Sequence, residues 1–198
     1  RSTPPRHELH HHLVLRGGGD KNLPIKLLTI NAHGLRSPGR LTQFLRACKA
    51  SPYDIILIQE HHLDDEGALD AQQSADVFGF HGLFSADPSG APTGGIAFLI
   101  RPSTTQLKRE DLQISTIQPG RSALLHVQHL DAISSIINIH APNVDRSTFF
   151  KEVQQRIQEM MTDPDISPPL ELDSLFLAGD FNCVTNVRLD LSRLRHTT

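Results

Sequence analysis

The stretch "LAGDFNCV" at residues 177–184 has the pattern of a buried strand that ends abruptly. Apolar residues lead to Gly179, and Asp180 and Asn182 then follow one residue apart. Ligands gather at strand ends in α/β sheets, because rigid strands deliver side chains and the loops beyond them leave room. The stretch therefore predicts a strand over 174–180 with a carboxylate and an amide at its tip.

Three more apolar runs end in polar residues of the kind that bind metals or phosphates. The runs and their final residues are 25–31 with Asn31, 54–60 with Glu60, and 133–140 with His140, followed by Asn143 just beyond Pro142. Taken singly, an Asn suits a turn, a His suits a core or a strand edge, and an Asp suits an Asx-turn. The recurrence of such residues at four strand ends favours a functional site.

Helical patterns lie between these strands. The first has apolar residues at i, i+3, i+4 and i+7, namely Leu41, Phe44, Leu45 and Cys48. This spacing predicts a helix from about Arg40 to Lys49 and, with the strands on either side, a βαβ-like opening with a covered sheet. A second helix is predicted over 149–161, with Asp145 or Ser147 as its N-cap. The remaining predicted strands are 94–102, 112–120 and 122–130, the last followed by a tight turn at 131–132.

The composition is that of an ordinary soluble domain. The 198 residues suit one domain, with 38% hydrophobic and 21% charged residues. No apolar run approaches the roughly 20 residues that cross a bilayer, and no secretory signal is visible. Cys48 and Cys183 form neither a disulfide framework nor a metal-site spacing, so a reducing compartment is expected. We therefore expect an intracellular protein, with the nucleus as a candidate compartment and no membrane partner.

The N-terminal segment 1–23 differs from the rest of the chain. It holds two prolines, a Gly triplet and four of the twelve histidines. This composition predicts a poorly ordered tail, followed by one domain over 24–198.

Charge is unevenly distributed, although the net charge is only −3. Five basic residues and no acid lie between Lys26 and Tyr53, whereas eight acids and no Lys or Arg lie between Asp54 and Asp87. Each block is most simply a solvated face, and the functional alternative is a basic wall beside an acidic pocket. In the functional alternative, Arg36 and Arg40 contact phosphate groups of a bound ligand.

The residue types at the strand ends suggest a chemistry. Carboxylates with amides, and no cysteine pair, suit a hard cation such as Mg²⁺ or Mn²⁺. Phosphate esters are the usual substrates of these metals, because the ion shields the phosphate charge and stabilises the leaving oxygen. A further carboxylate can orient or deprotonate an attacking water.

The same segments carry a family resemblance. In chain order they are "TINAHGL", "DIILIQEHHL", "GGIAFLI", "IINIHAPN" and "LAGDFNCV". This series resembles the successive motifs of the endonuclease/exonuclease/phosphatase superfamily, and is most similar to the apurinic-type endonuclease domain of non-long-terminal-repeat retrotransposons. Each motif is weak alone, but five in the right order, from about Ile25 to Asp190, are specific. The resemblance implies a four-layer α/β sandwich, in which two packed mixed sheets are flanked by helices, and an enzyme that nicks DNA.

The resemblance also implies a role for each strand-end residue. Glu60 would be the Mg²⁺ ligand with Asn31 beside it, and Asp180 would activate or orient the attacking water. Asn182 would position that water or the phosphate, and Asn143 would contact the phosphate. His140 stands where apurinic-type enzymes usually have Tyr and where pancreatic-type deoxyribonucleases have His, and either donor could serve the phosphate or the leaving group.

One motif of the family is not matched. The family closes its site with a late Asp and His, whereas this chain ends in "RLDLSRLRHTT". We therefore expect a domain that is incomplete at its C-terminus, most simply a metal-dependent DNA endonuclease of retroelement origin. The alternatives are an inactive remnant that acts as a nucleic-acid-binding or interaction fragment, and a phosphatase or lipid phosphodiesterase on the same fold.

Overall fold

A computed structural model of the chain describes residues 24–87, 89, 93–127, 135–163, 170 and 172–182, and a strand at 11–16. For residues 11–16 and 24 it describes the backbone alone. The predicted turn at 131–132 and residue Cys183 lie outside these ranges.

The first sheet has five strands within the part of the chain that the structure describes. They are β1 (His11–Arg16), β2 (Pro24–Asn31), β3 (Ile55–Gln59), β4 (His81–Ser85) and β5 (Ile96–Ile100), and they lie in the order β1-β2-β3-β5-β4. β2 and β3 are parallel and are connected by helix α1 (Pro38–Ala50), which confirms the predicted βαβ opening. The other pairings in this sheet are antiparallel, and helix α2 (Asp65–Val77) connects β3 to β4.

The second sheet has four strands among the described residues. They are β6 (Leu112–Gln118), β7 (Ser122–Val127), β8 (Ser135–His140) and β9 (Leu175–Asp180), in that order. β8 and β9 are parallel, and helix α4 (Arg146–Met161) lies between them in the chain. A single helical turn, α3 (Pro102–Thr105), follows β5. Each sheet therefore contains one parallel pair within an otherwise antiparallel arrangement.

Alternating side chains build three apolar layers. In β3, Ile56 and Ile58 face the core under α1 and α2, whereas Ile55 and Leu57 face the second sheet. A third core lies between the second sheet and α4, and Phe149 contributes to it. The resulting order of helices, sheet, sheet and helix confirms the predicted four-layer sandwich. No helix within the described ranges is long and apolar enough to cross a membrane.

A buried polar network joins the two sheets. The side-chain amide of Gln59 donates to Asn138 Oδ1 at 2.6 Å and to Thr29 Oγ1 at 2.9 Å. Asn138 in turn donates to the carbonyl oxygens of Ile58 and Ala97, at 3.0 and 3.1 Å. Gln59 is 1% exposed and Asn138 is fully buried, so breaking either contact would leave unpaired polar groups in the core. The network therefore fixes the register of one sheet against the other.

Four elements were not predicted from the sequence, namely β1, β4, α2 and α3. His11–Arg16, within the predicted tail, forms β1 against β2, while the rest of 1–23 apart from this strand lies outside the described residues. Helix α2 begins after Asp64, whose side chain accepts from the Gly67 N–H at 2.9 Å. Most of the acids between 54 and 87 lie on the exposed surface of α2 or at its N-cap, which supports the solvated-face interpretation of that block.

The close approach of β8 and β9 explains why residue 179 is a glycine. Its φ is +138°, and a Cβ there would lie 2.0 Å from Ile139 O and 2.6 Å from Ile139 N on the neighbouring strand. Only glycine lets β8 and β9 approach this closely one residue before Asp180.

We predict that Gly179→Ala lowers the free energy of unfolding by more than about 3 kcal/mol, because it adds a backbone clash to a strained φ. The matched control is Gly79→Ala, since Gly79 has φ +85° and nothing within 4 Å of an added Cβ. The control should cost only about 1 kcal/mol, from the strained φ alone. Urea unfolding followed by far-UV circular dichroism measures both variants, and equal losses would contradict the close-approach explanation.

Candidate active site

The carboxyl ends of the two parallel strand pairs meet. Asn31 ends β2, Glu60 follows β3, His140 ends β8 and Asp180 ends β9. The Asn31 side chain donates from Nδ2 to Asp180 Oδ2 at 3.4 Å, and His140 Nε2 lies 2.8 Å from Glu60 Oε1. Both contacts join a residue of the first sheet to one of the second. The four strand-end residues singled out in the sequence therefore lie together at one edge of the sandwich.

Asp180 and Asn182 hold each other in place. Asp180 Oδ1 accepts from the backbone N–H of Asn182 at 3.0 Å, which is an Asx-turn, while its other oxygen faces Asn31. The Asn182 side-chain amide donates to the carbonyl of Ala141, and the backbone carbonyl of Asn182 accepts from the Arg146 side chain. The structural and functional explanations of Asp180 are thus compatible, because one oxygen completes the turn and the other faces the site.

Three histidines surround the Glu60 carboxylate, which is 24% exposed. Beyond the contact of Oε1 with His140, Oε2 lies 3.5 Å from His62 Nε2 and 3.7 Å from His33 Nδ1. His33 and His62 were not identified as site residues from the sequence. The signal was present in "QEHHL" and "NAHG", where a His stands two residues after each predicted strand-end residue.

Positive backbone φ angles concentrate at the same place. Four of the six described non-glycine residues with positive φ are His33 at 49°, Glu60 at 55°, His62 at 59° and Asn182 at 46°. Left-handed backbone costs such residues free energy, and it persists only where the surrounding structure holds it. Such strain clusters at ligand-binding and catalytic sites, so its concentration here supports a functional origin.

The other predicted site residues lie at the margin. Arg36 donates from Nε to the carbonyl of His62 at 2.6 Å, and Arg40 donates to the carbonyl of Ala32 at 3.0 Å. Both arginines are exposed, and both brace the loops that carry the site. Asn143 is exposed in the turn after β8, and no contact with Glu60 or Asp180 is seen among the described residues.

Comparison with known proteins decides the family. The sequence model of the endonuclease/exonuclease/phosphatase family matches residues 28–189. The chain belongs to this family. The match runs from within β2 to beyond β9, so the predicted resemblance is confirmed. It contains the six candidate residues Asn31, Glu60, His140, Asn143, Asp180 and Asn182.

Individual relatives are distant. A Xenopus laevis protein, the transposon TX1 uncharacterized 149 kDa protein, is 23% identical over 170 residues, covering 84% of this chain and 12% of its own length. An AP endonuclease from Archaeoglobus fulgidus superposes with a TM-score of 0.59 at 17% identity, over 82% of this chain and 59% of that one. The 3′ phosphatase NExo from Neisseria, bound to a product DNA hairpin, gives 0.54 at 20% identity, over 79% and 57%. This chain therefore spans less than two thirds of the length of each.

Members of this family are typically metal-dependent phosphodiesterases. Within the described part of the chain, no three or more His, Cys, Asp or Glu side chains form a group that could by itself hold a metal ion. Mg²⁺ does not require such a group, because it commonly binds one or two carboxylates and completes its octahedron with water and substrate phosphate. The one partly exposed carboxylate of Glu60, with Asn31 at the end of the neighbouring strand, fits that mode of binding.

Burial lowers the pKa of two histidines at and beside the site, His140 and His61. Burial lowers the pKa of His140 below its ordinary value, and Arg121 lowers it further, while Glu60 and Asp180 act in the opposite direction. His61 is fully buried, and burial lowers its pKa from 6.5 to about 4. Its Nδ1 accepts from the Leu63 N–H at 3.0 Å, and Nε2 lies 3.1 Å from the Ser85 carbonyl. His61 is therefore a neutral core residue that anchors the loop after Glu60.

We predict that His61 makes the fold acid-sensitive. The unfolded chain protonates His61 near pH 6.5 and the folded chain only near pH 4, so stability falls as pH falls between these values. The full loss is about 3 kcal/mol, since each unit of pKa corresponds to about 1.4 kcal/mol. Urea unfolding from pH 7.5 to 4.5 should show His61→Gln to be less stable than wild type at neutral pH but less dependent on pH. Equal pH slopes would contradict this role.

Proposed function

We propose that this domain hydrolyses phosphodiester bonds of DNA with a divalent metal ion, as a nicking endonuclease of retroelement origin. The observation that carries the proposal is the pair of contacts across the two sheets, Glu60 with His140 and Asn31 with Asp180. They bring two carboxylates to one sheet edge, that of Glu60 beside His140 and that of Asp180 beside Asn31. Similarity to a transposon protein and to an AP endonuclease fold favours DNA as the substrate over a lipid or a small phosphate ester.

Glu60 and Asn31 would hold the cation. His140 contacts Glu60 Oε1, so we assign Oε2, which lies beside His62 and the exposed His33, to the cation. A bound Mg²⁺ or Mn²⁺ would screen the phosphate charge and stabilise the negative charge that develops on the leaving oxygen.

Asp180 would orient the attacking water. Each of its oxygens accepts one hydrogen bond in the structure, from Asn182 N–H and from Asn31 Nδ2. A carboxylate has about four acceptor positions, so capacity remains for a water proton. As the water oxygen bonds to phosphorus in line, the opposite P–O bond breaks and a water proton passes to Asp180. Asn182 and Asn143 would position the water and the non-bridging phosphate oxygens.

The test combines metal binding with nicking. Glu60→Gln should weaken Mg²⁺ binding at least about tenfold, because it removes a charged ligand. Asp180→Asn should keep Mg²⁺ binding near wild type but lower the nicking rate of supercoiled plasmid by about 10²–10⁴-fold, because an amide cannot accept the proton. Calorimetry measures the first effect, and agarose gels with excess protein measure the second and detect even slow hydrolysis.

The matched controls lie on the exposed surface of α2. Glu66→Gln and Asp70→Asn remove the same charges away from the site and should change neither quantity. Mg²⁺ affinity that is equal in wild type and Glu60→Gln would refute the metal assignment. Wild-type chain that binds DNA but never nicks it would favour the inactive remnant over the enzyme.

We further propose that Arg36 and Arg40 contact backbone phosphates. Each uses one N–H group to brace a loop beside the site, and each guanidinium has further donors. Arg36 also lies 3.9 Å from the Asp64 carboxylate, in an exposed pair that a phosphate could replace. Arg36→Ala with Arg40→Ala should weaken binding to all DNA sequences alike and reduce the slope of log affinity against log salt by about 0.9 per lost contact.

Binding is measured in Ca²⁺ to suppress cleavage, across a salt series. The matched control is Arg46→Ala with Lys49→Ala, which removes two exposed charges from the C-terminal half of α1. An equally reduced salt slope in both double variants would indicate a general effect of surface charge. An unchanged slope in the variant that lacks Arg36 and Arg40 would show that these residues only support the loops.

A further inference from the structure

His140 is held through both ring nitrogens. Nε2 lies 2.8 Å from Glu60 Oε1, and Nδ1 lies 3.1 Å from an NH1 atom of Arg121. The backbone N–H of His140 also donates to the Arg121 carbonyl at 2.7 Å. The His140 side chain is only 7% exposed, so few other partners can reach the ring.

The chemistry of the two neighbours specifies where the ring proton lies. A guanidinium has only donors, so the His140 Nδ1 that faces it must present a lone pair. A carboxylate has only acceptor positions when ionised, so the Nε2 that faces Glu60 must carry the hydrogen. Both contacts are satisfied by one tautomer, Nε2–H, and neither is satisfied by the other.

We propose that Arg121 is a positioning residue that acts on Glu60 through His140, by fixing the Nε2–H tautomer and the orientation of the imidazole. The inference rests on the proposed function in one respect, the assignment of Glu60 as cation ligand. With Nε2–H donated to Oε1, the carboxylate keeps one rotamer, and Oε2 is the oxygen presented to a cation. Partners that orient a metal ligand in this way typically change metal affinity by 10–100-fold when they are removed.

The fold places Arg121 for this task. Arg121 lies in the turn between β6 and β7, where its N–H donates to the Gln118 carbonyl at 3.1 Å. The antiparallel pairing of β7 with β8 sets Ser122 opposite Ile139, so the residue before β7 lies beside the residue that ends β8. The backbone contact between Arg121 and His140 does not depend on the side chain, so substitutions at 121 change the guanidinium while leaving that bond available.

The tautomer can be read directly, without metal or substrate. Long-range ¹H–¹⁵N spectra of the imidazoles distinguish a protonated from an unprotonated ring nitrogen, and His140→Asn identifies the His140 signals by their loss. In Glu60→Ala, Arg121 is the remaining partner, and we expect the Nε2–H pattern to persist. In Glu60→Ala with Arg121→Met, we expect a mixture of tautomers. Arg121→Lys in the same background keeps a charged donor and should restore the Nε2–H pattern.

A binding experiment tests the effect on the cation. Arg121→Met removes a positive charge near Glu60, so electrostatics alone predicts tighter Mg²⁺ binding. Our proposal predicts the reverse, binding weaker by about tenfold, with Arg121→Lys close to wild type. Backbone amide spectra and urea unfolding of each variant verify that it is folded before affinities are compared.

The outcomes separate this inference from the proposed function. Mixed tautomers in Glu60→Ala alone, or a pure Nε2–H pattern in Glu60→Ala with Arg121→Met, would overturn the role of Arg121 whatever the metal does. Tighter or unchanged Mg²⁺ binding in a folded Arg121→Met variant would also overturn it. If Mg²⁺ binding is indifferent to Glu60→Gln, the metal assignment fails, and the tautomer spectra still decide whether Arg121 orients His140.

Discussion

The hydrogen bond between Gln59 and Asn138 sets the geometry on which the site depends. It crosses the interface of the two sheets at 2.6 Å, in a core that consists mostly of apolar side chains. Apolar contacts between sheets are not directional, so they alone would tolerate small sliding movements, whereas a buried amide pair has one satisfied arrangement. Gln59 immediately precedes Glu60, and Asn138 lies two residues before His140. The bond therefore fixes which residues of the two sheets can meet at the edge.

The backbone of the site adopts left-handed φ angles that are uncommon in the described part of the chain. Glu60 and His62 have left-handed backbone, and the loop between them is anchored by His61, which lies against Gly95 so closely that a Cβ there would be 2.4 Å from the imidazole. A strained backbone of this kind is maintained by tight packing beneath it. The position of the Glu60 carboxylate thus depends on the packing of His61 and Gly95, which are both buried.

Much of the fold was predictable because its signals are local. The strand 25–31, the helix near 40–49 and the strand ends all follow from apolar runs and their limits, and five motifs in order predicted the four layers. Helix α2 was missed because its buried face consists of Ala68, Ala71 and Ala75, whose small side chains give little periodic contrast. The association of Arg121 with His140 was missed for another reason. It depends on strand pairing between segments 19 residues apart, and no local pattern at either residue records it.

The arrangement of parallel strands has a consequence for how the domain would fail. Asn31 and Glu60 lie at strand ends of one sheet and His140 and Asp180 at strand ends of the other, so the contacts between them exist only while the two layers are in register. Partial loosening of the sandwich would separate the two halves of the site while each sheet kept its own hydrogen bonds. The contacts of the site would then be lost under heat or denaturant before the circular dichroism of the strands changed. Sequence changes deep between the layers would disrupt the site in a protein that still looks folded.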